Sequence, residues 1–208
     1  MKRLYTLFVV LLTATVTVLA QDAEIAAVKS LNTKNKTLRF DFKETAFNKA
    51  TNKTSTLKGV LFFSADKKLS MKYTDPAGDY KLIADGKFTQ QANGKHVQAT
   101  IKQKGQIAQL AGLLTNVLAG DVKAVADLAP DAQVKASVEA DKYVFVITSD
   151  KGMGNIKQLT LKYAKSDGVL YSLRIDYQKG KYNLYEQQGG KQVNATLPAD
   201  AFVAPAKK

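Results

Sequence analysis

The 208-residue chain contains no cysteine. No disulfide framework can brace the fold, so stability must come from burial. A cysteine nucleophile is excluded, and so is a thioether-linked lipid anchor on the exported chain. Histidine occurs once, at His96. A metal site built from histidine and cysteine has nothing to use. A Ser-His-Asp triad would have to recruit that single ring, which lies beside Asn93-Gly94 at what reads as an exposed strand start. Carboxylates are scattered beside lysines and form no catalytic couple. Gly152-Met153-Gly154 lacks the lysine-serine continuation of a phosphate loop and reads as a turn. The glycosylation-type triplets at Asn35, Asn52 and Asn194 carry no weight behind a leader of bacterial appearance. The expectation is a protein that is not an enzyme, with no metal and no cofactor. No composition break divides the chain, so residues 21–208 read as one domain.

Residues 1–20 are set apart. Lys2 and Arg3 make a basic start, Leu7 to Leu12 an apolar centre, and Val18-Leu19-Ala20 a small-residue exit. That is the pattern of a secretory signal cleaved after Ala20. A retained anchor fits less well, because the apolar run is short and diluted by threonine. The expected location is the periplasm. The formal net charge is +13, and only Lys2 and Arg3 of the basic residues fall in the leader. Such a surplus favours acidic lipid headgroups, acidic proteins or nucleic acid. Export argues against nucleic acid. The lysines are spread through nearly every segment, as on an ordinary solvated basic surface.

Along the rest of the chain, residues 23–34 predict a short amphipathic helix with Ile25, Val28 and Leu31 three apart and Asp22 as N-cap. The period then changes from helical to two. Leu38, Phe40 and Phe42 alternate with Arg39, Asp41 and Lys43, which predicts a half-buried strand over 37–47. Further strands are expected at 54–64 (Leu57, Leu61, Phe63), 67–74 (Leu69, Met71, Tyr73), around Tyr80 to Ala84, and at 96–101. Tight turns at Asp75-Pro76-Ala77-Gly78, Asp85-Gly86 and Asn93-Gly94 join them. Residues 121–129 predict a second short helix ended by Pro130. Strands resume at 134–139, 142–149, 156–164, 169–178 and 181–187. On 169–178, Tyr171, Leu173, Ile175 and Tyr177 share the apolar face. Gly189-Gly190 closes the last strand, and 197–208 is an irregular cap. About ten strands joined by tight turns make an antiparallel meander. The nine tyrosines and nine phenylalanines fall mostly on apolar strand faces, as core or cavity lining.

One stretch breaks the meander. Gly105–Gly120 carries no charge. Ile107, Leu110, Leu114 and Val117 recur at spacings of three and four, and Leu113 and Leu118 widen the stripe. It is shorter than the ~20 apolar residues needed to span a bilayer. One reading is an ordinary buried helix of an α+β core. The other is an apolar lid over a cup of sheet. Three glycines favour the second, since a mid-helix glycine costs about 1 kcal/mol relative to alanine and suits a segment that moves or packs closely.

Several pieces, in order, resemble one family. They are Leu38 and Phe42 on the first strand, Gly59-Val60-Leu61-Phe62-Phe63, Tyr73-Thr74-Asp75-Pro76, Leu82 to Lys87, Gly154 to Leu159, and Asp167-Gly168-Val169-Leu170. With the leader and the apolar helical interruption, they resemble the outer-membrane lipoprotein carrier protein family, LolA. The resemblance implies a mostly β fold with some α. It is an incomplete antiparallel β-barrel, a half-barrel, covered by a short α-helical lid around a hydrophobic cavity. It implies a periplasmic carrier that shuttles acylated lipoproteins from an inner-membrane ABC-type release complex to the outer membrane. The carrier would be monomeric, with an anionic membrane surface as a further docking partner. The lipid-binding residues would be Leu38, Phe40, Phe42, Leu61, Phe63, Leu69, Met71 and Tyr73 on the sheet, and Ile107, Leu110, Leu113, Leu114 and Val117 on the lid. A lipid- or glycolipid-binding or sensor module on the same fold is the alternative. Two departures mark a divergent member. Glu44 stands where many members have glutamine. The stretch Ser64 to Lys68 lacks the arginine that holds the lid closed in proteobacterial members, leaving Lys67 or Lys68 to replace it.

Overall fold

The structure, a computed structural model, describes residues 21–102 and 105–205. The expected leader, residues 1–20, lies outside the described residues. Residues 21–32 are helical (α1), so Asp22 sits within the helix rather than capping it. Six strands follow: β1 (Thr37–Asn48), β2 (Lys53–Ser64), β3 (Lys68–Asp75), β4 (Ala77–Ala84), β5 (Lys87–Ala92) and β6 (Lys95–Thr100). Helices α2 (Gln106–Leu118) and α3 (Val122–Ala126) interrupt the run. Five strands complete it: β7 (Gln133–Glu139), β8 (Lys142–Met153), β9 (Ile156–Ala164), β10 (Leu170–Tyr177) and β11 (Lys181–Val193).

The eleven strands form one sheet in the order β6-β5-β4-β3-β2-β1-β11-β10-β9-β8-β7. Each neighbouring pair is antiparallel. The first and last strands meet in the middle, so the chain's two arms spread from the β1–β11 pair. The edges β6 and β7 do not pair with each other, and the barrel stays open. Family resemblance and sheet order agree on the half-barrel.

Register puts one apolar set on the inner face. Leu38 pairs with Phe63, Phe40 with Leu61, and Leu61 with Met71. Paired residues point to the same side of a sheet, so these side chains stack in rows. Opposite Phe42 stands Gly59. A Cβ at Gly59 would collide with the Lys72 carbonyl and the Phe42 ring. Glycine there lets the Phe42 ring lie across β2. The inner face of the other arm carries Phe145, Ile147, Leu159, Leu161, Leu173 and Ile175, all buried.

Four strand details differ from the sequence reading. β5 is an eleventh strand, formed between the Asp85-Gly86 and Asn93-Gly94 turns where the sequence reading names none. β8 continues to Met153, leaving only Gly154-Asn155 as the turn into β9. β11 runs through Gly189-Gly190 instead of stopping before it, because register irregularities on β1 between Arg39 and Phe42 absorb the mismatch. A similar irregularity between Leu170 and Ser172 turns Tyr171 out of the apolar row, and it is exposed. On the outer face, Phe62, Ser70 and Leu82 form a paired row and are nevertheless buried. The C-terminal segment lies on this side. Lys72 Nζ is 3.0 Å from Asp200 Oδ2 and sits over the Phe62 ring, and Ala201 is fully covered.

Candidate functional site: a lidded apolar cup

α2 lies across the inner face. Its buried residues are Ala111, Leu113, Leu114, Thr115, Val117 and Leu118. Beneath it a cavity of about 30 Å³ remains. Phe40, Phe42, Leu61, Leu69 and Met71 form one wall, Leu114, Val117 and Leu118 the roof, and Leu170, Leu173 and Tyr185 the other wall. That space holds about one or two waters. The side chains of α2 fill most of the cup.

The thirteen expected lining residues fall into three groups. Phe40, Phe42, Leu61, Leu69, Met71, Leu114 and Val117 border the cavity. Leu38, Phe63 and Tyr73 are buried on the same inner face, away from the hole. Ile107 is half-buried against the core, while Leu113 and Leu110 line a second space. That space is an open groove of about 340 Å³ between α2, Leu128, Met153, Ile156, Ile175 and Tyr177. Leu110 is 38% exposed there. Sequence reasoning missed Leu118, Leu170, Leu173 and Tyr185 as lining. Alternation on β10 marks Leu173 as an inward candidate, but on β11 it favours Tyr182 and Leu184 over Tyr185, and nothing local says which rows the lid will cover.

The lid is fastened at one end. Tyr163 on β9, fully buried, donates from its hydroxyl to the Val117 carbonyl at 2.8 Å. Burial holds this phenol far above its ordinary pKa, with the Asp121 charge adding to the effect, so it remains a donor. Gly120 has φ +66 and abuts the Asn32 side chain of α1. Asn32 in turn donates to the Gly168 carbonyl. Asp121 caps α3 by accepting from the Ala124 N–H at 3.1 Å, and it pairs with Lys29 at 3.0 Å. Lys67 and Lys68, the expected substitutes for a lid-closing arginine, sit in the β2–β3 turn region. Lys68 pairs with Asp66 and Asp85. Among the described residues, the side-chain hydrogen bond from sheet to lid comes from Tyr163.

A polar knot sits on the inner face beside the cavity. Glu44, 4% exposed, accepts from Tyr73 Oη, from Lys81 Nζ at 3.3 Å, from Asn183 Nδ2 at 2.8 Å and from Tyr185 Oη at 3.0 Å. Lys81 also reaches Tyr185 Oη at 3.3 Å. Its ammonium lies over the Tyr73 and Tyr185 rings. Burial alone would lower the Lys81 pKa, but Tyr185, Tyr73 and Glu44 outweigh it and hold it well above the usual lysine range. Burial pushes Tyr73 and Tyr185 upward, against the pull of Lys81. Tyr177 is pushed up to about 12, by burial first and then by Tyr185. All of these phenols stay protonated as donors.

His96 is exposed on β6, with its Nδ1 3.4 Å from the Tyr80 hydroxyl. Among the described residues no helix is long and apolar enough to cross a membrane.

The profile of the outer membrane lipoprotein carrier protein LolA matches residues 33–204. The chain belongs to the LolA family. Solved structures share the fold at low identity. An uncharacterised conserved protein from Thermus thermophilus is 10% identical, with a TM-score of 0.50, covering 89% of this chain and 94% of that one. The Pseudomonas aeruginosa MucA/MucB complex aligns at 13% identity and a TM-score of 0.51, covering 89% of this chain and 61% of that one. A LolA superfamily protein from Nitrosomonas europaea aligns at 9% identity and a TM-score of 0.43, covering 88% and 97%. No curated protein matches in sequence. LolA membership thus rests on the profile, and the structural likenesses speak only for the fold.

Proposed function

We propose that this LolA-family chain is an exported carrier. It holds the acyl chains of lipoproteins in the lidded cup and moves them from the inner to the outer membrane. The supporting observation is that the cup's apolar inner face is filled by side chains of the separate helix α2 rather than by the sheet itself. An acyl chain far exceeds the 30 Å³ hole, so cargo entering the cup beneath the lid must displace Leu114, Val117 and Leu118. Burying a chain of about 14 methylenes contributes about 11 kcal/mol. Exposing three aliphatic side chains costs about 5–9 kcal/mol. The difference of a few kcal/mol per chain permits both uptake and release. A rigid empty cup holding several chains would run toward the affinity ceiling of about −18 to −21 kcal/mol, where release fails.

The donor in this reading is an inner-membrane ABC-type release complex, and the carrier works as a monomer. The basic surplus steers docking to anionic membranes or acidic partners. The test incubates the mature chain with an acylated lipoprotein and with its unacylated form in detergent-free buffer. Co-elution of the acylated form alone is expected. Loss of the lipoprotein to aggregates, or equal capture of both forms, would overturn the proposal. Transfer to anionic vesicles should slow as salt rises. Salt-insensitive transfer removes the electrostatic part.

A further inference from the structure

Resting on the acyl-carrier reading, we infer that Glu44 is the residue that sets head-group specificity. It excludes acyl chains that end in a negative charge and admits those that end in a neutral ester or amide. The geometry that carries this is the position of the knot beside the cavity under the lid. The cavity under the lid is bounded by Tyr185 and by Phe42, and the Phe42 ring packs edge-on against Tyr73, with centroids 5.3 Å apart. Tyr185, which accepts from Lys81 and donates to Glu44, is the member of the knot that borders this cavity. The polar end of an acyl chain lying there meets the knot at Tyr185.

Lys81, Tyr73, Tyr185 and Asn183 form the kind of donor set that holds a carboxylate or phosphate. Here that set is already occupied. Glu44 takes all four donors, two on each oxygen. Its side chain is 5% exposed, against 21% for Lys81. The pair cancels in charge. A second anion arriving there meets a like charge in a poorly solvated place and finds its donors taken. An ester or amide carbonyl needs a single donor, and the Lys81 ammonium, which has three N–H groups and bonds Glu44 and Tyr185, has one to offer. The nearby carboxylate of Glu186 is paired with Lys43 at 2.9 Å, so it adds no free anion and no free cation.

The experiment uses the mature chain and displacement of a fluorescent fatty-acyl reporter by palmitate or by monopalmitoylglycerol, at about pH 8, where the free acid is ionised. The wild type should bind monopalmitoylglycerol about tenfold or more tightly than palmitate. Glu44→Gln frees the Lys81 charge and should tighten palmitate about tenfold, while monopalmitoylglycerol stays within about threefold. Lys81→Met leaves Glu44 without its counter-charge and should weaken palmitate several-fold more than monopalmitoylglycerol, which loses only a carbonyl donor, so it tests the idea even if Glu44→Gln folds poorly. Equal affinity of the wild type for the two lipids, or equal shifts for both in the variants, overturns the inference and leaves the carrier reading standing. Binding of neither lipid overturns both.

Discussion

The two ends of α2 differ more than its uniform composition suggests. At its C-terminal end, Val117 and Leu118 are buried, the Val117 carbonyl is held by Tyr163, and Gly120 is wedged against Asn32. The Ala119, Gly120 and Asp121 N–H groups return to carbonyls within the helix. At its N-terminal end, Gly105 stands in the N-cap position with no side-chain cap bond, and the first turn carries no acidic residue to meet the helix dipole. Ile107 is only half-buried, and Leu110 faces the open groove. Local stability follows buried contacts and satisfied ends. α2 is therefore fastened at Val117–Asp121 and loosely held at the end over the groove. On the carrier reading proposed above, it would act as a lever that cargo lifts at the loose end without unfolding the other.

Matched truncations at the two ends make the strongest challenge to this picture. Leu118→Ala, at a site 3% exposed, should cost about 2–5 kcal/mol in a urea titration. Leu110→Ala should cost about 1 kcal/mol or less. Similar losses at both sites would mean that the ends are equally embedded, and the lever would be lost. Next in size is Tyr163→Phe, which removes the hydroxyl bond to Val117 and keeps the ring. The Val117 carbonyl still accepts from the Gly120 N–H at 3.1 Å, so no buried acceptor is orphaned. A loss of about 1 kcal/mol is expected. Amide exchange should accelerate around Val117 to Asp121 and change little at residues 106–110. Acceleration confined to the N-terminal end would reverse the assignment of hinge and free end.

Much of this was legible in the sequence. Strict alternation such as Leu38, Phe40, Phe42 marks an inward face without any structural help, and tight-turn signals at Asp85-Gly86 and Asn93-Gly94 locate the hairpins. The lid was visible as an uncharged helical stretch, but its orientation was not. Gln106, Gln109, Gly112 and Asn116 mark only one side of α2, so Leu110 lies as centrally in the apolar stripe as Leu118, and only the packed sheet decides which faces inward. Small residues Ala111 and Thr115 occupy the buried face because the helix lies close, which hydrophobicity alone ranks poorly. Tyr171 left its row through a strand irregularity that alternation cannot register. The polar knot had no local signal. Glu44 lies 37 residues from Lys81 and 141 from Tyr185, so only the curl of the sheet reveals them as neighbours. Tyr163 is similarly distant from Val117, 46 residues away.

The smallest expected effect is acid sensitivity at the hinge. Burial works against ionisation of Asp121, but the Ala124 N–H and the Lys29 ammonium outweigh it, leaving its carboxyl below the usual aspartate range. A carboxyl depressed in the folded state contributes stability above its unfolded pKa of about 3.9 and loses it as pH falls through the folded value. Acidification below about pH 4 should therefore loosen α3 and the base of the lid, whereas Asp121→Asn should lack this component while keeping a side-chain cap. Asp121 is exposed enough for water to screen the Lys29 pair, so the pH term should be small beside the Leu118 effect. Hydrogen exchange at Ala124 followed from about pH 5 to pH 3 isolates it from the general acid response of other carboxylates. A wild-type curve superimposable on that of Asp121→Asn would show that the hinge depends on packing and the Tyr163 bond, with no electrostatic share.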